Sequence, residues 1–130
     1  MMYKNKHYPI PPVPKPRMTR SDKWKKRPAT QRYWAFKDLC KLHKVDLPKA
    51  GARVIFVLPM PKSWAKQKKE IFNLQRHEQK PDLDNLLKAL GDAIYQDDSG
   101  ISDIHATKVW GHVGEIVIRT RRADDKMRLE

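Results

Sequence analysis

The chain has 130 residues, 39% of them hydrophobic, and a net charge of +13. That length suits one domain with a modest core, and no apolar run is long enough to span a bilayer. Cys40 is the only cysteine, which excludes an intrachain disulfide and a cysteine-based zinc site, and the five histidines do not pair at zinc-motif spacing. With no secretory signal visible, the plain expectation is a cytoplasmic protein whose basic surface attracts polyanions, either nucleic acid or an anionic membrane.

Residues 1 to 28 are rich in proline and bases, and through Lys37 eleven Lys and Arg face the single acid Asp22. Tyr8 to Val13 predicts a first strand, restricted to an edge or an extended arm by Pro9, Pro11, Pro12 and Pro14. Pro14 to Arg20 (PKPRMTR) brings Lys15, Arg17 and Arg20 close together. Such a segment is either a solvated tail or a phosphate-binding arm. Trp24, set among Lys23, Lys25, Lys26 and Arg27, favours the arm, because an aromatic among bases can stack on a nucleobase.

Thr30 to Lys44 predicts a helix capped by Thr30, with Tyr33, Phe36, Leu39, Cys40 and His43 on an apolar-leaning face. That spacing assigns Tyr33 and Trp34 to the core, with Cys40 a small core residue. Leu47 to Gly51 is a turn, and Arg53 to Leu58 (RVIFVL) is a buried strand between Gly51 and Pro59. Ser63 is expected to cap a basic helix from Trp64 to about Gln75, with Trp64, Ile71, Phe72 and Leu74 on its apolar side. Its Lys66, Lys68 and Lys69 form either a solvated face or part of a nucleic-acid surface. His77 is expected to be a neutral, hydrogen-bonded linker residue rather than a metal ligand.

The acids then gather. Between Pro81 and His105 stand Asp82, Asp84, Asp92, Asp97, Asp98 and Asp103 against Lys88 alone, a net charge of −5, while the remainder carries 27 bases and 9 acids. Basic surface attracts polyanion, and clustered carboxylates attract a divalent cation. Together they point to metal-assisted chemistry on a nucleic acid. Leu83, Leu86, Leu87, Leu90, Ala93 and Ile94 fall at helical spacing, with Asp82 as N-cap and Asp84 in the first turn. Asp84, Lys88 and Asp92 follow at i, i+4 and i+8. Gly91 is a cost in a helix interior and suggests close packing. The helix is expected to end near Tyr95, and the following loop carries Asp97 and Asp98.

A straight helix cannot bring its C-terminal loop to its own N-terminus, since each residue adds ~1.5 Å. The acids therefore meet by one of three routes. Asp82 and Asp84 lie on an extended lead-in to which the loop folds back, or the helix begins after Asp84, or a second subunit completes the site.

Ile101 to Trp110 predicts a strand with Ile104, Ala106 and Trp110 on one side. Gly111 to Gly114 is a turn, and Glu115 to Thr120 is a strand completing a hairpin. Arg121 to Glu130 is a charged, frayed tail. The order β-α-β-α-α-β-β indicates one α+β domain, a mixed β-sheet packed with helices.

KPDLDNLLKAL followed by YQDDSGISD resembles the RusA-type Holliday-junction resolvases, small bacterial and phage endonucleases. The resemblance extends to PKPRMTR, to Leu58-Pro59-Met60-Pro61, to the basic segment Ser63 to Lys69 and to the final hairpin, covering most of residues 10 to 120. It implies a homodimer of mixed α/β subunits that uses Mg²⁺ or Mn²⁺ to cut four-way DNA junctions with paired, symmetric nicks. It also implies that Asp82, Asp84 and Asp98 are catalytic metal ligands and Lys88 the motif lysine. Asp97 stands beside the ligand Asp98, and Asp103 matches a further acid of the family. The stretch between Asp92 and Asp97 is shorter here than the family usually has.

On the residues themselves the chemistry is coherent. Phosphodiester hydrolysis needs an activated water and charge stabilisation, both supplied by a hard divalent ion on a few carboxylates, and Lys88 could neutralise developing phosphate charge. Lys88 could equally form an i, i+4 pair with Asp84 worth only ~0.3–0.5 kcal/mol. The alternatives are a non-catalytic basic nucleic-acid-binding protein and a ribosomal-type RNA-binding protein. Against both stands the Asp cluster, because carboxylates repel phosphates unless a cation intervenes.

Overall fold

The computed structural model describes residues 4–17, 27–95 and 98–120. Within them the chain forms β1 (Lys4–Tyr8), α1 (Pro28–Leu42), β2 (Ala52–Pro59), α2 (Lys66–Phe72), α3 (Leu83–Ile94), β3 (Ile104–Gly111) and β4 (Glu115–Thr120), with a 3₁₀ turn at Asp98–Gly100. This is the expected α+β order, β-α-β-α-α-β-β.

β2 is the centre. Its even positions Ala52, Val54, Phe56 and Leu58 belong to the main core, and Val54 and Phe56 are fully buried. A period of two places them on one face of the sheet. Ile116 and Ile118 of β4 lie level with Phe56 and Val54, and they extend the same face. Onto it pack Tyr33, Phe36 and Cys40 of α1 and Leu86, Ala89, Leu90 and Ala93 of α3. Tyr33 is thus the core aromatic; its neighbour Trp34 is exposed, because the helix period turns it away.

The sheet order is β1-β4-β2-β3, with β2 parallel to β3 and antiparallel to β4. The expected terminal hairpin is not formed. β3 and β4 are consecutive, but β2 lies between them, so the turn spans two strand spacings, about 10 Å, over the end of β2. Pro59 closes β2 there, level with Gly111. Gly114 passes so close to the arm that a Cβ on it would stand 2.9 Å from Pro11 Cα.

Three further elements differ from expectation. The first strand is Lys4–Tyr8, paired with β4, and overlaps the predicted Tyr8 to Val13 only at Tyr8. The prolines that follow lack the N–H needed to continue a ladder. α1 begins at Pro28, whose missing N–H suits the first helical turn, so Thr30 lies inside the helix and is buried. α2 is shorter than predicted, is preceded by Ala65 rather than capped by Ser63, and buries none of its residues. Trp24, Arg20, Asp97 and the tail from Arg121 lie outside the described residues.

Beyond β3 the segment Leu74 to His77 adds hydrogen bonds along the free edge. Leu74 N–H donates to Trp110 O at 2.9 Å, Trp110 N–H to Gln75 O at 3.0 Å, and His77 N–H to Lys108 O at 3.1 Å. An edge strand that would otherwise invite pairing with another chain is thereby covered.

Candidate active site

One face of β3 arranges the site. Ile104, Lys108 and Trp110 alternate onto the same side as the core residues of β2 with which they are level, Ala52, Phe56 and Leu58. Trp110 meets Trp64 with ring centroids 4.8 Å apart and His77 at 4.1 Å. This fixes the chain before and after α2. Lys108 Nζ donates to the carbonyls of Gln79 and Pro81, the latter at 2.8 Å. Two backbone carbonyls thus gain a charged donor, and the lead-in to α3 is held against the sheet. Ile104 lines the acidic cleft itself.

α3 starts at this anchored point. Asp82 occupies the N-cap position with extended backbone, and its carbonyl accepts Leu86 N–H at 3.2 Å. Its side chain makes no capping hydrogen bond. An N-cap Asp normally uses that oxygen on the helix N–H groups; here the carboxylate has no such duty. Asp84 is exposed in the first turn, and its Oδ1 accepts Asn85 N–H at 2.9 Å.

The returning loop brings Asp98 alongside the helix. A Cβ on Gly91 would lie 3.5 Å from Asp98 Cβ and 3.5 Å from Ile101 Cδ1, ordinary contact distances, so the loop packs closely on the helix at this glycine. The loop is held on its other side by the turn after α1: Tyr95 Oη donates to Leu47 O, and Ser102 N–H to Lys49 O at 2.8 Å. Lys49 Nζ stands 5.1 Å from the Tyr95 ring centroid. The result is an open cleft of about 280 Å³ lined by Asp84, Leu87, Lys88, Asp98, Ile101 and Ile104. The extended lead-in expected to carry both Asp82 and Asp84 holds Asp82 alone, because Asp84 lies in the first turn of α3; the returning loop sets Asp98 across the cleft from that turn rather than in contact with it. The short stretch before Asp98 is long enough for this. Asp82 is not among the lining residues.

Lys88 projects between the acids. Its Nζ is 3.3 Å from Asp98 Oδ2 and 3.8 Å from Asp92 Oδ1. Among the described residues its ion-pair partners are these two, not Asp84. Asp92 was not a site residue on sequence grounds, yet it also accepts Lys15 Nζ at 2.5 Å from the N-terminal arm. Burial, and next the Asp92 carboxylate, push the Tyr33 phenol above its ordinary pKa. The visible sign of Asp92 in the sequence was its place one turn after Lys88; its partner 77 positions away was not visible.

The remaining cations are distributed along the chain. Arg17 is exposed, and its carbonyl accepts Arg27 Nη2 at 2.7 Å. Lys66 is exposed and Lys69 half-buried, while Lys68 Nζ lies 4.1 Å from the Trp64 ring centroid as a cation–π contact. His77 is buried against Trp110. Desolvation first, and then Lys108, hold its pKa below the ordinary value, so it is a neutral ring. Among the described residues no three His, Cys, Asp or Glu side chains form a group that could hold a metal ion. No helix among them is long and apolar enough to cross a membrane.

No curated protein matches the chain. The family model for the endodeoxyribonuclease RusA matches residues 9–121, which include the arm, the anchored lead-in, every cleft residue and all but the first strand of the sheet. The chain belongs to the RusA endodeoxyribonuclease family.

Proposed function

We propose that this protein is a Mg²⁺-dependent, structure-selective endonuclease that resolves four-way DNA junctions as a homodimer. The observation that carries the reading is the cleft that sets Asp84, Asp98 and the ammonium of Lys88 around one open space on a protein of net charge +13. A purely nucleic-acid-binding surface has no use for two carboxylates where phosphates must approach.

The donor set fits the ion. Mg²⁺ takes hard oxygen ligands, binds through one or two carboxylates, and keeps other positions for water and substrate phosphates. Asp84 and Asp98 would hold it as a two-carboxylate set; Asp82, the third ligand that the resemblance implies, has a carboxylate not used as a cap but does not line the cleft or complete a three-ligand group with them. Mn²⁺, which favours the same ligands, is the expected substitute. When bound, such an ion supplies a nucleophilic water and stabilises charge on the phosphoryl oxygens. Lys88 places a fixed positive charge in the same cleft, where negative charge builds on the scissile phosphate. Arg17, Arg20, Lys66 and Lys69 are the cations assigned to bind the DNA backbone and orient the branch, and they carry no sequence information. Lys15 and Lys68 have prior partners in Asp92 and the Trp64 ring.

Each subunit contributes one such acidic cleft. Two cuts in one binding event therefore require two subunits, related by a twofold axis that matches the near-symmetry of a four-way junction. A cruciform plasmid tests both halves of the proposal. Paired cutting before release gives linear product in Mg²⁺ and none in EDTA, and excess Asp84→Asn protein shifts the product from linear to nicked. Binding of the junction with no strand cut in Mg²⁺ or Mn²⁺ would leave a non-catalytic DNA-binding protein. Linear product persisting in the mixture, with a monomeric mass on junction DNA, would exclude the dimer.

A further inference from the structure

Asp92 has no part in the scheme above, yet its carboxylate is shared by two lysines from different parts of the chain. Its side chain is 18% exposed; Oδ2 accepts Lys15 Nζ at 2.5 Å, and Oδ1 faces Lys88 Nζ at 3.8 Å. Lys88 continues to Asp98 at 3.3 Å. Four alternating charges, Lys15, Asp92, Lys88 and Asp98, thus run from the N-terminal arm to the cleft. Lys15 is fixed at both ends. It lies between Pro14 and Pro16, and its backbone N–H donates to Asn85 O at 3.4 Å.

We propose that Asp92 is a positioning residue that sets how far Lys88 reaches into the cleft, and that Lys15 of the arm holds Asp92 in that role. The catalytic consequence rests on the nuclease reading; the linkage does not. The physical reason is competition for one ammonium. With Asp92 present and half-neutralised by Lys15, Lys88 is divided between Asp92 and Asp98. Without the Asp92 charge, Lys88 falls wholly to Asp98 and neutralises a candidate metal ligand. Without Lys15, Asp92 carries its full charge and draws Lys88 back from the cleft. Either change misplaces the cation, and small displacements of a reacting-centre group carry large rate penalties.

The test combines single-turnover cleavage of a synthetic four-way junction with its binding affinity. Asp92→Asn is expected to slow cleavage by about tenfold or more without weakening binding, because the change removes a negative charge near DNA. Asp92→Glu is expected to recover part of the rate. Lys15→Gln is expected to slow the native protein but to add nothing in the Asp92→Asn background, the non-additivity of residues that act through one another. An unchanged rate for Asp92→Asn overturns the proposal. So does Lys15→Gln slowing both backgrounds by the same factor, which would make Lys15 a plain DNA contact.

A second measurement is independent of activity. Thermal unfolding of Lys15→Gln, Lys88→Gln and the double variant, without DNA or metal, is expected to be non-additive while Asp92 is present and additive in Asp92→Asn. Additivity with Asp92 present overturns the linkage. Should Asp92→Asn not fold, the native-background cycle alone decides it. Wild-type protein that cuts no junction would refute the nuclease reading, and the thermal cycle would still decide the linkage.

Discussion

Asp84→Asn separates chemistry from binding and folding. Asp84 is exposed, its visible hydrogen bond is to the next residue's N–H at 2.9 Å, and it lines the cleft opposite no ion-pair partner among the described residues. Asparagine keeps an acceptor oxygen and loses a negative charge at the start of α3, a dipole contribution of ~0.3–1 kcal/mol. In a domain of this size that lowers Tm by at most roughly 3–5 °C. Against a usual stability of about 5–15 kcal/mol the variant stays folded at assay temperature. Loss of a charge-stabilising group at the reacting centre costs about 10²–10³ in rate, roughly 2.7–4 kcal/mol. The rate effect therefore exceeds the stability effect and cannot arise from it. The assay is single-turnover cleavage of a four-way junction with protein in excess and Mg²⁺ present, beside a gel-shift titration in EDTA. The expected outcome is cleavage reduced at least a hundredfold with junction affinity equal or slightly greater. Cleavage at the wild-type rate would refute the assignment of Asp84 as a metal ligand. Cleavage and binding abolished together would place Asp84 in recognition instead.

Gly91→Ala is expected to be tolerated and to raise stability by up to ~1 kcal/mol, since the added Cβ meets Asp98 Cβ at 3.5 Å, an ordinary contact, and alanine favours the helix. Gly91→Val should displace Asp98 and reduce cleavage with little loss of DNA affinity; equal activity of the two variants would show that Gly91 does not seat the loop. Burial pushes the Cys40 thiol up to about 11, so its contribution to stability is complete below the ordinary thiol pKa and is lost as pH rises towards 11, where the unfolded chain gives up its proton first. Melting curves between pH 8 and 11 should fall more steeply for the native protein than for Cys40→Ala, and equal slopes would contradict the burial argument. Replacing Arg17 and Arg20 together by Ala should weaken binding to every DNA shape and flatten the log–log salt dependence by up to ~0.9 for each phosphate no longer neutralised; an unchanged slope would return the arm to a solvated tail.

How much of this was legible in the chain depends on how local each signal is. The boundaries of α3 follow from its own residues, because Leu83, Leu86, Leu90 and Ala93 carry the helical period and Asp82 marks the start. β2 is equally local, a β-branched run between Gly51 and Pro59. β1 is not. Lys4–Tyr8 (KNKHY) has no β-branched residue and becomes a strand by pairing with β4, so tertiary context overrides propensity. α2 differs for another reason. Its apolar spacing suggested a buried face, but Ile71 and Leu74 are exposed, and the aromatic pair Trp64 and Phe72 turns to Trp110 and Lys68 instead. The turn Gly111 to Gly114 is a fair hairpin signal, yet turn chemistry does not say which strand lies alongside which.

That last point decides the site. In a hairpin, β3 would take its register from β4. Paired in parallel with β2, it is level with Ala52 at Ile104, with Phe56 at Lys108 and with Leu58 at Trp110. The face of β3 that carries these three residues is therefore the face that carries α3. Ile104 then lines the cleft, Lys108 grips Gln79 and Pro81, and Trp110 seats His77 and Trp64. A slip of one residue would turn all three to the opposite face. The carbonyls of Gln79 and Pro81 would lose their charged donor, and the start of α3, with Asp82 and Asp84, would lose its fixed height on the sheet. The acids and Lys88 were visible in the sequence as a cluster because they lie within a short stretch. Their arrangement as a site depends on a strand pairing between residues more than fifty positions apart, which no local pattern encodes.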